Sequence, residues 1–116
     1  FIVAHHVVSA VESEDGEIFT GFCIESASGV MNLCAERVAA LNMYMSTGKT
    51  RIRRLIVCRE NPPKNGGMPC GTCREFLMQL DRANGEMEIL TDFENRRTVK
   101  LKDVFPSWWG EKRYVE

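Results

Sequence analysis

The chain has 116 residues, 44% of them hydrophobic, with a formal net charge of −1 from 15 basic and 16 acidic side chains. A chain of this length supports one compact domain and no second core, so a single domain is expected over residues 1–116, and because the sequence starts at Phe1 without an initiator methionine, an N-terminal helix is expected to be missing from it. Balanced charge excludes an overall electrostatic pull toward nucleic acid or an anionic membrane, and no apolar run approaches the roughly 20 residues that a membrane-spanning helix needs. The five cysteines are an odd number with no basic-led apolar leader ahead of them, which argues against a secreted disulfide framework and for a reducing, cytoplasmic setting.

In chain order, residues 5–13 and 17–26 are β-branched or aromatic runs separated by Glu14-Asp15-Gly16, a hairpin signal. From Cys34 to Thr47, Val38, Leu41, Tyr44 and Met45 recur at helical spacing and Gly48 supplies a C-terminal stop, which predicts an amphipathic helix with Cys34 in its first turn. The basic run from Lys49 to Arg54 reads as a solvated edge or subunit contact. Residues 52–58 predict a buried strand, and residues 61–68, with two prolines and two glycines, predict a loop. Phe76, Leu77 and Leu80 mark a second helix ending near Asn84-Gly85, with Cys70 and Cys73 in its N-terminal turn. Two short strands follow, at 86–93 and 98–101, around a polar turn. The order β-β-α-β-α-β-β argues for an α/β architecture, a mixed five-stranded sheet covered by helices.

The chemistry concentrates in Cys34-Ala35-Glu36 and Pro69-Cys70-Gly71-Thr72-Cys73. A structural zinc site closes its shell with four protein ligands, whereas a catalytic one uses three and leaves a position for water or substrate. Three cysteines fit the open kind. At a strand-to-helix junction, unpaired backbone N–H groups and roughly +0.5 charge from the helix dipole favour the thiolate that binds metal. Cys70 and Cys73 lie on one turn, Cys34 reaches the same ion from the other helix, and Glu36 is expected near the metal without necessarily binding it. Zinc at +2 with three thiolates leaves about −1, which weakens the metal as a Lewis acid. Two helix N-termini at roughly +0.5 each offset that charge, and Arg37 is placed to donate to the sulfurs. Zinc brings the pKa of its water to about 7, and Glu36 is positioned to take that proton.

These residues together make the chain resemble the small, zinc-dependent cytidine deaminases of the three-cysteine class and, more distantly, blasticidin-S deaminase. The likeness rests on Asp15-Gly16-Glu17-Ile18-Phe19-Thr20-Gly21, Cys34-Ala35-Glu36-Arg37, Pro69-Cys70-Gly71-Thr72-Cys73-Arg74 and Val104-Phe105-Pro106. The resemblance implies a three-layer fold, Zn2+ on Cys34, Cys70 and Cys73, proton shuttling by Glu36, a backbone contact to the pyrimidine from Ala35, and a homotetramer with shared active sites. It also implies a ribose-binding asparagine and glutamate separated by one residue. Cys23 and Glu25 stand there, so the glutamate is kept and the asparagine is lost. A hydrogen bond contributes roughly 0.5–1.5 kcal/mol, so nucleoside binding is expected to weaken about tenfold or more.

The family's phenylalanine before the first hairpin strand aligns with His5, and its C-terminal aromatic with Trp109. His5 is thus a candidate to stack on the pyrimidine and Trp109 to close the pocket from another subunit, whereas alternation sends His6 to the opposite face. The expected activity is hydrolytic deamination of cytidine, deoxycytidine or a related small aminopyrimidine, with no nucleic-acid or membrane partner. Two alternatives compete. A thioredoxin-like dithiol protein explains Pro-Cys-Gly-Thr-Cys but not Cys34-Ala35-Glu36; a structural zinc module, closed by Cys23, Cys58 or His5, leaves Glu36 without a role. Cys23 and Cys58 are otherwise small buried hydrophobes, and Met31, Met43 and Met45 are core or subunit contacts.

Overall fold

Strand β1 (Val3–Ser13) and strand β2 (Ile18–Glu25) form the expected hairpin, turning through Gly16 at φ 91°, a conformation that glycine adopts without steric cost. Further along come helix α1 (Ala35–Thr47), strand β3 (Ile52–Arg59), helix α2 (Gly71–Leu80), strands β4 (Glu88–Asp92) and β5 (Arg97–Lys100), and the short helix α3 (Leu101–Val104). This computed structural model describes residues 1–59 and 67–113. Most of the loop expected over 61–68 therefore lies outside the described residues. The sheet order is β2-β1-β3-β4-β5; β3 and β4 run parallel and the other neighbours antiparallel. The mixed five-stranded α/β sheet is as the sequence pattern predicts.

Cross-strand partners share a face, so the register separates the two sides of the sheet. Ser9, Gly21 and Val57 align on one face, with Val11, Phe19 and Leu55 beside them. That face meets Ala39, Ala40 and Met43 of α1 and Leu77 and Met78 of α2 in the hydrophobic core, which also takes in Ile89, Leu101 and Trp108. On the opposite face Val8 pairs with Phe22, and Val8, Ile18 and Phe22 are exposed. Of the three layers that the resemblance implies, the described residues supply the sheet and one helical layer. No helix among them is long and apolar enough to cross a membrane.

The buried stripe of α1 departs from the expected one. Ala35, Glu36, Ala39, Ala40 and Met43 are buried, while Tyr44 and Met45 are exposed. Close approach explains the difference: a Cβ on Gly21 would stand 2.4 Å from the Ala39 nitrogen and 2.9 Å from the Ala35 oxygen. Helix and strand touch backbone to backbone there, so small residues, not large ones, define the inner face. Met43 joins the core as expected, whereas Met31 and Met45 are exposed. Gly48, at φ 75°, ends α1 and donates its N–H to the Tyr44 carbonyl at 2.8 Å.

Helix α2 stops at Leu80 rather than near Asn84. The Asp81 carboxylate accepts from the Ala83 N–H at 2.9 Å and starts a separate 3-10 turn at Arg82–Glu86. Asn84 is fully buried inside that turn. Its side chain accepts from Ile52 N–H at 2.8 Å and donates to the Thr50 and Leu77 carbonyls, each at 2.9 Å. All of its bonds run to backbone, which ties the end of α2 to the start of β3 and so fixes the tilt of the helix that carries Cys70 and Cys73.

Candidate metal centre

Cys34 and Cys70 both occupy the position that precedes the first helical residue, one for α1 and one for α2. Their carbonyls accept the first helical bonds, from Val38 N–H at 3.1 Å and Arg74 N–H at 2.9 Å. Two local devices hold these helix starts in place. Ahead of Cys34, Leu33 and Ile24 exchange a pair of backbone hydrogen bonds at 2.9 Å each, pinning the entry to α1 onto β2. Around Cys70, Arg74 donates to the Pro69 carbonyl at 2.9 Å and the Val104 carbonyl at 2.7 Å, clamping the loop before α2 against the end of α3. Arg74 and Pro69 both stand in the sequence motif, but Val104 is 30 residues away and only the fold reveals that half of the clamp.

The outcome is one group of sulfurs. Cys34, Cys70 and Cys73 place their ligand atoms within 4.8 Å of one another, and Cys34 Sγ lies 3.7 Å from Cys70 Sγ. Two thiolates bound at about 2.3 Å to a tetrahedral ion stand about 3.7–3.8 Å apart, so the donor set fits zinc. No other His, Cys, Asp or Glu among the described residues joins this group. Cys23 is occupied elsewhere, by His6, and Cys58 lies on β3 beside Val8 of the opposite face.

The electrostatics point the same way. Glu36 is 5% exposed. Burial pushes its carboxyl above the usual carboxylate range against the opposing pull of its own backbone N–H, the neighbouring Cys73 thiol, Arg37 and Arg59. Burial likewise pushes the Cys73 thiol far up, reinforced by the negative charges of Glu36, Cys34 and Cys70. Cys70 goes the other way: burial raises it, but the Cys73 N–H, the Cys34 and Cys73 side chains and the Thr72 N–H at the start of α2 bring it down overall. Three thiols and a carboxyl this close resist shared ionisation, and a divalent cation in their midst relieves that repulsion. Arg37 Nη2 donates to Cys34 Sγ at 3.7 Å and to the Asn32 carbonyl at 3.5 Å, while its Nε is buried without a hydrogen-bond partner.

The family described as "Cytidine and deoxycytidylate deaminase zinc-binding region" matches residues 4–85. The chain belongs to this family. It is 33% identical over 106 residues to cytidine deaminase of Mycobacterium tuberculosis, covering 90% of this chain and 72% of that protein. It is 39% identical over 67 residues to cytidine deaminase of Mycoplasma pneumoniae, covering 57% of this chain and 49% of the relative, so it spans about half of that protein's length. Blasticidin-S deaminase of Bacillus cereus is 30% identical over 81 residues, with 63% of this chain and 56% of that protein covered. The crystal structure of the Mycobacterium tuberculosis cytidine deaminase superposes with a TM-score of 0.74 at 29% identity, covering 90% of this chain and 76% of that one. Family membership and the sulfur group together disfavour the dithiol redox and structural-zinc alternatives.

The remaining sequence candidates fall into three places. Ala35 is fully buried at the first position of α1, between Cys34 and Glu36. Cys23 and Glu25 lie on β2, two residues apart and so on the same face. The histidine beside them is His6, not His5: His6 Nε2 lies 2.9 Å from Glu25 Oε1, and its Nδ1 lies 3.3 Å from Cys23 Sγ. Simple alternation fails because β1 bulges. Between the pairs Ala4–Ile24 and Val8–Phe22, β1 advances four residues while β2 advances two, and His5 takes a left-handed φ of 71°. His5 instead stacks on Phe22, with ring centroids 3.9 Å apart. Trp109 stands on the outer side of α2, donating to Glu75 and covered by the Arg113 guanidinium 5.4 Å from its ring centre.

Proposed function

We propose that the protein is a zinc-dependent hydrolytic deaminase that converts cytidine, deoxycytidine or a related aminopyrimidine to the uracil-type product and ammonia. The observation that carries this reading is the meeting of three sulfurs at two helix starts with the buried carboxyl of Glu36 beside Cys73. Cys34, Cys70 and Cys73 would hold the ion, which supplies Lewis-acid activation of water at neutral pH.

The chain's own residues then carry the proton traffic. Glu36 accepts a proton from the attacking water, delivers it to N3 of the ring as oxygen adds at C4, then takes the remaining proton from the added hydroxyl and gives it to the amine as the C4–N bond breaks and ammonia leaves. A buried carboxyl whose affinity for protons is raised suits a group that must be protonated in part of the cycle. Arg37, donating to Cys34, draws charge from the sulfurs and keeps the ion electrophilic. The buried backbone of Ala35 orients the pyrimidine, and Glu25 accepts from a substrate hydroxyl on the side where Cys23 replaces an amide. His5 and Trp109 act, in this reading, only across contacts between chains. The assembly is a cytoplasmic homotetramer with shared active sites, in keeping with the exposed Tyr44, Met45 and Phe22 surfaces.

Incubating the zinc-loaded protein with cytidine, deoxycytidine and cytosine, and following ammonia release, tests the proposal. Equimolar ammonia and uracil-type product from at least one of these compounds is the expected result; no turnover of any of them by zinc-replete protein would overturn it.

A further inference from the structure

A second cluster of ligand types lies outside the three-cysteine group. His6, Cys23 and Glu25 place a ring nitrogen, a thiol sulfur and a carboxylate oxygen within 4.8 Å of one another. Nothing in the sequence spacing announces it, since His6 comes from the bulged part of β1 and the other two from β2. Cys23 is buried, whereas the side chains of His6 and Glu25 are 27% and 53% exposed. The thiol is thus sheltered and the carboxylate stands at an open edge through which an ion can enter.

The nitrogen–sulfur distance matches one coordination shell, and the nitrogen–oxygen distance is the shorter one of a hydrogen bond that an ion would have to open slightly. Around a tetrahedral ion with Zn–N near 2.0–2.1 Å, Zn–S near 2.3 Å and Zn–O near 2.0–2.2 Å, nitrogen and sulfur stand about 3.6 Å apart and nitrogen and oxygen about 3.3 Å apart. Here His6 Nε2 lies 3.6 Å from Cys23 Sγ and 2.9 Å from Glu25 Oε1. Charge also balances: one thiolate and one carboxylate neutralise a divalent ion while the imidazole stays neutral. The mixed sulfur, nitrogen and oxygen set suits a borderline-soft metal such as zinc or cobalt rather than calcium or magnesium, which prefer all-oxygen shells.

We propose that His6, Cys23 and Glu25 form a second site for a divalent transition metal, separate from the three-cysteine centre. The thiol of Cys23 gives up its proton on binding, and the ion takes one donor from each residue, which leaves the second carboxylate oxygen of Glu25 for the substrate hydroxyl. The competing arrangement is a plain His6–Glu25 ion pair over a small buried thiol, which takes no metal.

Zinc content of the full chain, measured after equilibration with excess zinc and removal of the free ion, separates the two. The expected value is two zinc ions per chain for the unaltered protein and one for Glu25→Gln and for His6→Gln, with the weaker site's affinity reduced by at least about tenfold. Cadmium NMR of the same proteins reads the sites independently of stoichiometry. Two resonances are expected in the unaltered chain, and only the one from the three-sulfur environment is expected in each variant. Glu25 is exposed, so Glu25→Gln keeps the test valid if His6→Gln or a change at buried Cys23 impairs folding. One zinc in the unaltered chain, or a second zinc that both variants retain, overturns the proposal. The three-sulfur resonance reports on the first centre separately, so failure of one site is distinguishable from failure of the other.

Discussion

The two thiol clusters use similar ligand chemistry on different supports. Cys34, Cys70 and Cys73 stand at the starts of two helices, each braced by backbone bonds and each adding the positive end of a helix dipole. His6, Cys23 and Glu25 stand across a bulged strand pair at the edge of the sheet, with one ligand half in solvent. The first arrangement stabilises excess negative charge and fixes distances through whole elements. The second balances its charge without dipoles and depends on the local twist of one hairpin. A reactive ion needs the former, because the proton transfer proposed for Glu36 tolerates little error in position.

The largest effect that separates the clusters is expected from Cys73→Ser. Losing a central, fully buried sulfur should remove zinc from the three-cysteine centre and reduce turnover about 10³-fold or more, since the metal contributes several kcal/mol to the barrier. Cadmium NMR should show the His6–Cys23–Glu25 resonance unchanged. A smaller effect is expected from Arg37→Met, which keeps the bulk and removes the donor to Cys34: zinc affinity or turnover should fall about 10–100-fold. Competition with a chelator measures the affinity. Smaller again is Gly21→Ala, which forces α1 away from β2 at the Ala39 contact and should cost about 1–3 kcal/mol in thermal or denaturant unfolding. Because α1 carries Cys34 and β2 carries Cys23, the first cluster should loosen its zinc while the second keeps its own. Equal weakening of both clusters by Gly21→Ala would mean that they share one support.

What the sequence made legible follows from how local each feature is. Cys70 and Cys73 lie on one helical turn and Glu36 two residues past Cys34, so both halves of the centre could be read from short spacings, as could the strand and helix order. Features set by contacts distant in the chain were hidden. The inner face of α1 belongs to Ala35, Ala39 and Ala40 because Gly21 lets the strand come close, and no periodicity in α1 records that. His6 displaced His5 because a bulge breaks the alternation on which face assignment rests. Asn84 looked like a helix stop and is a buried three-way bridge to backbone.

The most direct test of the central claim, that three sulfurs hold the ion and Glu36 moves protons without binding it, is Glu36→Gln assayed for zinc content and cytidine turnover on the same sample. The expected outcome is full zinc at the three-cysteine centre with turnover reduced about 10²–10⁴-fold, the usual contribution of a positioned acid–base group. Zinc lost along with activity, or activity undiminished, would contradict it.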